Sequence, residues 1–277
     1  MKLKKLVAML SIAGATALAG AAHATTVPTI ANLDGTLSPF GGFDWAQGAA
    51  AWTQGFNPIA GSSFTLNFAA WAVAINDTTG GTIWAPHLSP TATGTPPASG
   101  MYEYTIFAAL TETVISVNPN TGSAVFQVTG GNFNIFYDTN PNANHLLGTG
   151  FQDGTMIVSG SVNGSPTTTF TNLNGGQATL SGLVTYTNGT YINPAMVGTN
   201  LTSTLQLGSA VTNFTIPTGF DYLNNGTSQS IAGDGHEIIF QADANQAFSA
   251  VPEPGSLALL GSALGLLGFV GRRKNKH

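Results

Sequence analysis

Short apolar runs rich in Thr, Val, Ile, Phe and Tyr recur along the chain between clusters of Gly, Asn, Pro and Ser, which is the texture of a sheet protein. The strongest run is Met101 to Val117, where Tyr102, Tyr104, Ile106, Ala108 and Leu110 fall on one face and Glu103 and Thr105 on the other, as the two-residue period of a strand requires. Phe64 to Ile75 reads the same way, and further strands are predicted over Ala124 to Thr129, Asn132 to Tyr137, Thr155 to Val162, Ala178 to Thr187, Leu201 to Leu207, Val211 to Ile216 and Glu237 to Ala242. Asn188-Gly189 between Tyr186 and Tyr191 predicts a type I′ hairpin. Ser89 to Gly100 reads as an exposed loop and Gly160 to Gly176 as a second flexible region. No stretch of the middle shows helix caps or a sustained 3.6 period. The expected fold is all-β: a single β-sandwich or barrel-like domain over residues 25–250.

Both ends break this pattern. Met1 to Lys5 carries three lysines, and an uncharged Leu, Val, Ala, Met and Ile stretch follows to about Gly20. This is a signal peptide, residues 1–24, with small residues Ala22 and Ala24 placing the cleavage before Thr25. The apolar core is too short for a membrane anchor, and no Arg pair precedes it, which favours the general secretory route.

At the other end, residues 251–277 hold three parts in order: Val251-Pro252-Glu253-Pro254-Gly255, the uncharged run Ser256 to Gly271, and Arg272-Arg273-Lys274-Asn275-Lys276-His277. As a helix at about 1.5 Å per residue, the run spans roughly 24 Å, short of a roughly 30 Å hydrocarbon core. It suits a transient transmembrane helix whose basic tail stays cytoplasmic. Pro252 and Pro254 hold the preceding backbone extended and accessible to a processing enzyme. Pro252, Glu253 and Pro254, the Leu/Gly-rich segment and the Arg272, Arg273 and Lys274 cluster resemble the PEP-CTERM sorting signal, the substrate tag of exosortases. The resemblance implies export in a Gram-negative bacterium, a transient inner-membrane intermediate, removal of the tail by exosortase, and delivery to the cell surface or extracellular matrix. Signal peptidase and exosortase are then the processing partners. The overall layout, including Phe240-Gln241-Ala242-Asp243-Ala244-Asn245 before the tag, is similar to PEP-CTERM proteins associated with flocculation.

The charge distribution narrows the function of the middle. All seven Lys and Arg residues lie in the two terminal signals, whereas of twelve Asp and Glu residues only Glu253 lies outside the body. The body is therefore purely acidic. Nucleic-acid binding, which needs cations to neutralise phosphates, is excluded as a partner class. With no cysteine, cohesion must come from apolar burial and backbone hydrogen bonds. The lack of lysine also leaves strand edges unguarded, which points to self-association.

Candidate chemistry is sparse. His87, His145 and His236 are far apart and lack metal-ligand spacing. No nucleophile elbow, zincin helix or phosphate loop is present. Asp234-Gly235-His236-Glu237 reads as a polar turn entering the last strand. Asp138-Thr139-Asn140-Pro141-Asn142-Ala143-Asn144 places oxygens at alternate positions but lacks the glycine and glutamate of a calcium loop, so an Asn/Pro turn is the plainer reading. Glu103 and Glu112, nine apart on one strand, belong on opposite faces. Phe43, Trp45, Trp52, Phe56 and Phe64 are either core or a platform for sugar rings. No catalytic, cofactor or metal residue is assigned. The expectation is a non-enzymatic exported protein associated with exopolysaccharide and cell aggregation in flocs or biofilm. The alternative is a polysaccharide-binding module or glycoside hydrolase.

Overall fold

The apolar runs become long antiparallel strands in the computed structural model, which describes residues 27–249 except 32–34, 36, 84, 86, 90–99, 122, 145–148, 165–166, 172–174, 211–221, 225–226 and 230–238. In chain order the strands are β1 (Thr29–Ala31), β2 (Leu37–Pro39), β3 (Gly42–Trp45), β4 (Ala49–Gln54), β5 (Ser63–Asn76), β6 (Thr82–Ile83), β7 (Glu103–Asn118) and β8 (Ser123–Asp138). They continue with β9 (Thr155–Asn163), β10 (Thr167–Thr171), β11 (Gly175–Thr187), β12 (Ile192–Asn193), β13 (Asn200–Ala210), β14 (Tyr222–Asn224), β15 (Thr227–Gln229) and β16 (Ile239–Ser249). No helix occurs among the described residues.

The architecture is an 8-strand barrel rather than a sandwich. β3 and β4 lie end to end and together form one position in the wall, because both pair with β5 on one side and β16 on the other. β9 and β10 share a second position between β8 and β11. The remaining walls are β5, β7, β8, β11, β13 and β16, each beside its neighbour in sequence. The last strand pairs with the first, Asn245 opposite Asp44 and Phe240 opposite Ala51. This closure leaves no long unpaired edge, so the unguarded edges expected from the sequence are absent from the ring.

Inward positions fill the interior. Phe64, Leu66, Phe68 and Ala70 of β5 face Tyr104, Ile106, Ala108 and Leu110 of β7, and Phe133 and Ile135 of β8 complete the layer. One end is sealed by the small sheet β12-β1-β2, which brings Ile30, Phe40, Ile192 and Met196 onto the core. The Tyr104 hydroxyl donates to the Ala31 carbonyl at 3.1 Å, and Tyr137 stacks against Tyr102 and Tyr191 with centroids 5.4 and 4.9 Å apart.

Several sequence expectations need correction. Ala124 to Thr129 and Asn132 to Tyr137 are one strand, because Gly130-Gly131 is a close crossing and not a turn. A Cβ on Gly131 (φ +157) would lie 2.4 Å from the Ala109 carbonyl oxygen. Gly160 to Gly176 is mostly the wall formed by β9 and β10. Asn188-Gly189 makes no I′ hairpin. Asn188 Oδ1 instead accepts from the Thr190 amide at 3.0 Å, and its carbonyl accepts from Tyr191 and Ile192, so the chain swings away to β12 before β13. The last strand runs on to Ser249, its inward side carried by Phe240, Ala242, Ala244 and Phe248, where alanines blur the alternation. Val211 to Ile216, the signal peptide and the sorting helix lie outside the described residues, as does most of the Ser89 to Gly100 loop.

Gly160 tests the barrel packing. It stands opposite Phe133, and an added Cβ would meet the Leu183 carbonyl oxygen at 2.3 Å and the Phe133 ring at 2.5 Å. Gly160→Ala is therefore expected to lower stability by about 1–3 kcal/mol, read from the midpoint of urea denaturation. An unchanged midpoint would show that the ring does not rest on this glycine.

Candidate functional site

Three places combine chemistry with shape. The first is on the outer wall, where β11, β13 and β16 present polar side chains in register. Gln177 lies opposite Gln206 and Gln206 opposite Asp243, and one row along Thr179, Thr204 and Asn245 repeat the arrangement. Gln177, Gln206 and Asp243 of the first row, with Gln241 and with Gln47 from the turn between β3 and β4, line a groove of about 590 Å³. Gln241 Nε2 donates to the Gln47 carbonyl at 2.9 Å and ties the turn to the wall. Asp44, diagonal to Asp243, has its carboxyl pushed up by burial and by the Asp243 charge, against a lowering hydrogen bond from Asn245.

The second lies under a strap, residues 139–144 and 149–154, laid across the outside of the barrel. Its Ala143 and Phe151 cover Trp52, Trp71, Phe107 and Phe136. Glu103 Oε1 accepts from the amides of Asn142 and Ala143 at 2.8 and 3.1 Å, and Thr105 Oγ1 donates to the Phe151 carbonyl at 2.9 Å. Burial raises Glu103 to about 7 despite those two donors, with the charges of Asp138 and Asp153 adding to the rise. Within the calcium-like segment, Asp138 Oδ1 accepts from the Asn140 amide and Asn142 Nδ2 donates to Asp153 Oδ2, both at 2.8 Å, while Asn142 Oδ1 is buried without a hydrogen-bond partner. No cluster of three His, Asp or Glu side chains among the described residues is arranged to hold a metal.

The third is inside the barrel, at the end away from the small sheet. Phe56, Phe64 and Phe126 meet edge to face with centroids 5.2 to 5.9 Å apart. Beside them Glu112 points into an apolar chamber of about 190 Å³. Glu112 is 6 % exposed, and burial alone lifts its carboxyl to about 7.

Glu103 and Glu112 are thus on opposite faces of β7, outside and inside the wall, and cannot act on one substrate bond. The aromatic cluster divides too. Phe43, Trp45 and Phe64 are interior, Trp52 is under the strap, and Phe56 rims the chamber. None of them forms an exposed platform. His87 sits in the left-handed region (φ 69°), its carbonyl accepting from the Tyr102 amide at 2.9 Å. His145, His236 and the Asp234-Glu237 turn lie outside the described residues, as do Ala22, Ala24, Thr25, Pro252, Glu253, Pro254, Arg272, Arg273 and Lys274. Sequence reasoning missed the groove. Its glutamines come from three strands and a turn, and only the barrel register brings them together.

Residues 250–274 match the family model of the PEP-CTERM protein-sorting motif. No curated protein and no solved structure matches the chain. The motif identifies an exported protein processed by exosortase and sorted to the cell surface. It begins directly after Ser249, the last residue of the closing strand. Removal of the tail at the Pro-Glu-Pro segment therefore leaves every barrel pairing in place.

The raised carboxyls set the pH dependence of stability. Because Glu103 and Glu112 bind protons more tightly folded than unfolded, their contribution is fully present below pH 4.5 and lost as pH rises through about 7. For Glu112 the loss above pH 8 is roughly 3 kcal/mol. Urea unfolding should accordingly show a less stable protein at pH 8 than at pH 5.5, with Glu112→Gln flattening the trend. Equal slopes in the two proteins would contradict this.

Truncating Glu103 to alanine leaves the Asn142 and Ala143 amides without their acceptor. A cost of about 1–3 kcal/mol is expected, with faster thermolysin cleavage within the strap; an unchanged cleavage rate would mean other contacts hold it.

Proposed function

We propose that the exported barrel works without catalysis, as a surface or matrix protein that associates with its producer's exopolysaccharide in flocs or biofilm. The observation that carries this reading is the sorting motif joined directly to the end of the closing strand. The outer groove supports it. Carboxamides both donate and accept, so Gln47, Gln177, Gln206 and Gln241 match the hydroxyl pattern of a sugar chain. The acidic body favours a neutral or amino-sugar polymer over a uronate-rich one, which its charge would repel. With the aromatic rings buried, recognition rests on hydrogen bonds across the wall instead of ring stacking.

A second reading rests on one observation: Asp44 lies beside Asp243 of the groove, and burial first and the Asp243 charge second push the Asp44 carboxyl above the ordinary aspartate range. Two neighbouring carboxyls, one of them with a raised proton affinity, are the kind of pairing that glycoside hydrolysis uses. Incubating the secreted protein with its producer's purified polymer separates the readings. Co-sedimentation with no new reducing ends is the expected result, and Gln177→Ala with Gln206→Ala should weaken it by about tenfold, the loss of a few hydrogen bonds. Release of reducing ends that stops in Asp243→Asn would establish the hydrolase instead. Neither binding nor release would remove the polymer from the account.

A further inference from the structure

The chamber around Glu112 lies inside the barrel, away from the outer groove, and its chemistry asks for a different ligand. It opens at the barrel end through a rim that includes exposed Pro58, Asn118 and Pro119. Behind the rim the walls are apolar, formed by Phe56, Phe64, Leu66, Phe126, Leu207 and Phe240. Thr53 and Ser123 add hydroxyls, and the Glu112 carboxyl is the one titratable group among the described lining residues. It is buried, it receives no hydrogen bond from the described residues, and desolvation is the whole of its perturbation.

A carboxyl in such a place is costly unless something pairs with it. No lysine or arginine occurs between Thr25 and Ala250 to supply the pair. Nor is a histidine or a second acid found among the described residues that line the chamber. Among the described residues, then, nothing supplies the counter-charge, and a bound ligand can. Size restricts it further: about 190 Å³ exceeds the roughly 150 Å³ that suffices for benzene in a protein core, leaving room for a short polar extension.

We propose that this chamber binds a small organic cation, a primary amine on an apolar body about the size of a benzene ring, with the ammonium group on Glu112 and the body among the phenylalanines. The ring edges of Phe64 and Phe126, already edge to face with each other, accept an aromatic or branched aliphatic body equally well. Binding draws the proton from Glu112, so affinity rises with pH until the carboxyl is fully ionised. No other titratable group among the lining residues competes for that role. The site lies inside the barrel, whereas the polysaccharide groove lies on its outside, so failure of one leaves the other standing.

The test is calorimetric titration of benzylamine, benzyl alcohol and toluene into the protein recovered from the producing cell, alongside Glu112→Gln and Ala124→Leu, the latter filling the chamber from β8. Benzylamine is expected to saturate one site at pH 8 and to weaken at least about tenfold at pH 5.5, where Glu112 holds its proton. Glu112→Gln should bind benzylamine no better than benzyl alcohol, and Ala124→Leu should weaken all three probes. Carbon-13 NMR of the wild type gives a readout that needs no variant: the Glu112 carboxyl, titrating at about 7 when empty, moves down when benzylamine saturates. Equal affinity for benzylamine and benzyl alcohol would overturn the proposal. So would an unaltered affinity in Glu112→Gln or Ala124→Leu, an unmoved carboxyl, or no saturable binding at all.

Discussion

Closure of the wall by its last strand is the interaction on which the rest of the structure depends. β16 pairs with β13 on one side and with β3 and β4 on the other. Without it the barrel would be an open sheet, with its interior phenylalanines and tyrosines facing water and two long edges unpaired. Closure joins residues some two hundred positions apart, so it carries the largest loop-closure cost in the fold. It also puts Gln241 against Gln47 and Asp243 beside Asp44. The outer groove therefore exists only in the closed ring.

The absence of cations from the body shapes everything else. Lacking lysine and arginine, the body cannot make the usual surface ion pairs, and its acids are managed individually. Asp77 caps its own turn, accepting from the Thr79 and Gly81 amides at 2.7 and 2.9 Å. Glu103 is spent on the strap amides, and Glu112 is left buried and protonation-sensitive. The same absence makes the exported body acidic, which disfavours contact with nucleic acid and anionic lipid.

The long strands were legible because their alternation survives intact: Tyr104, Ile106, Ala108 and Leu110 announce β7, and Phe64, Leu66, Phe68 and Ala70 announce β5. β3 and β4 were not, since Gly42 to Gln54 mixes Gly, Ala and Trp on both faces. Both faces are in fact covered, the inner by the core and the outer by the strap. The strap supplies that cover from a segment far along the chain, which no local pattern reveals. Trp45 and Trp52, neighbours in one reading of the sequence, end in separate layers for this reason. The opposition of Glu103 and Glu112 followed from the strand period alone, but that one would meet backbone amides and the other only rings required the fold. The sorting motif was legible in full, because it is read as sequence by the enzyme that processes it.

The central claim is that a self-contained barrel is exported and released from its tag at the end of its closing strand. Intact mass spectrometry of the protein recovered from the producer's extracellular polymer tests it most directly. The account predicts a chain beginning at Thr25 and ending near Pro252 to Ser256, uncut by trypsin because no lysine or arginine remains. A mass that retains Arg272 to His277 would contradict it, as would a terminus inside β16 that breaks the ring.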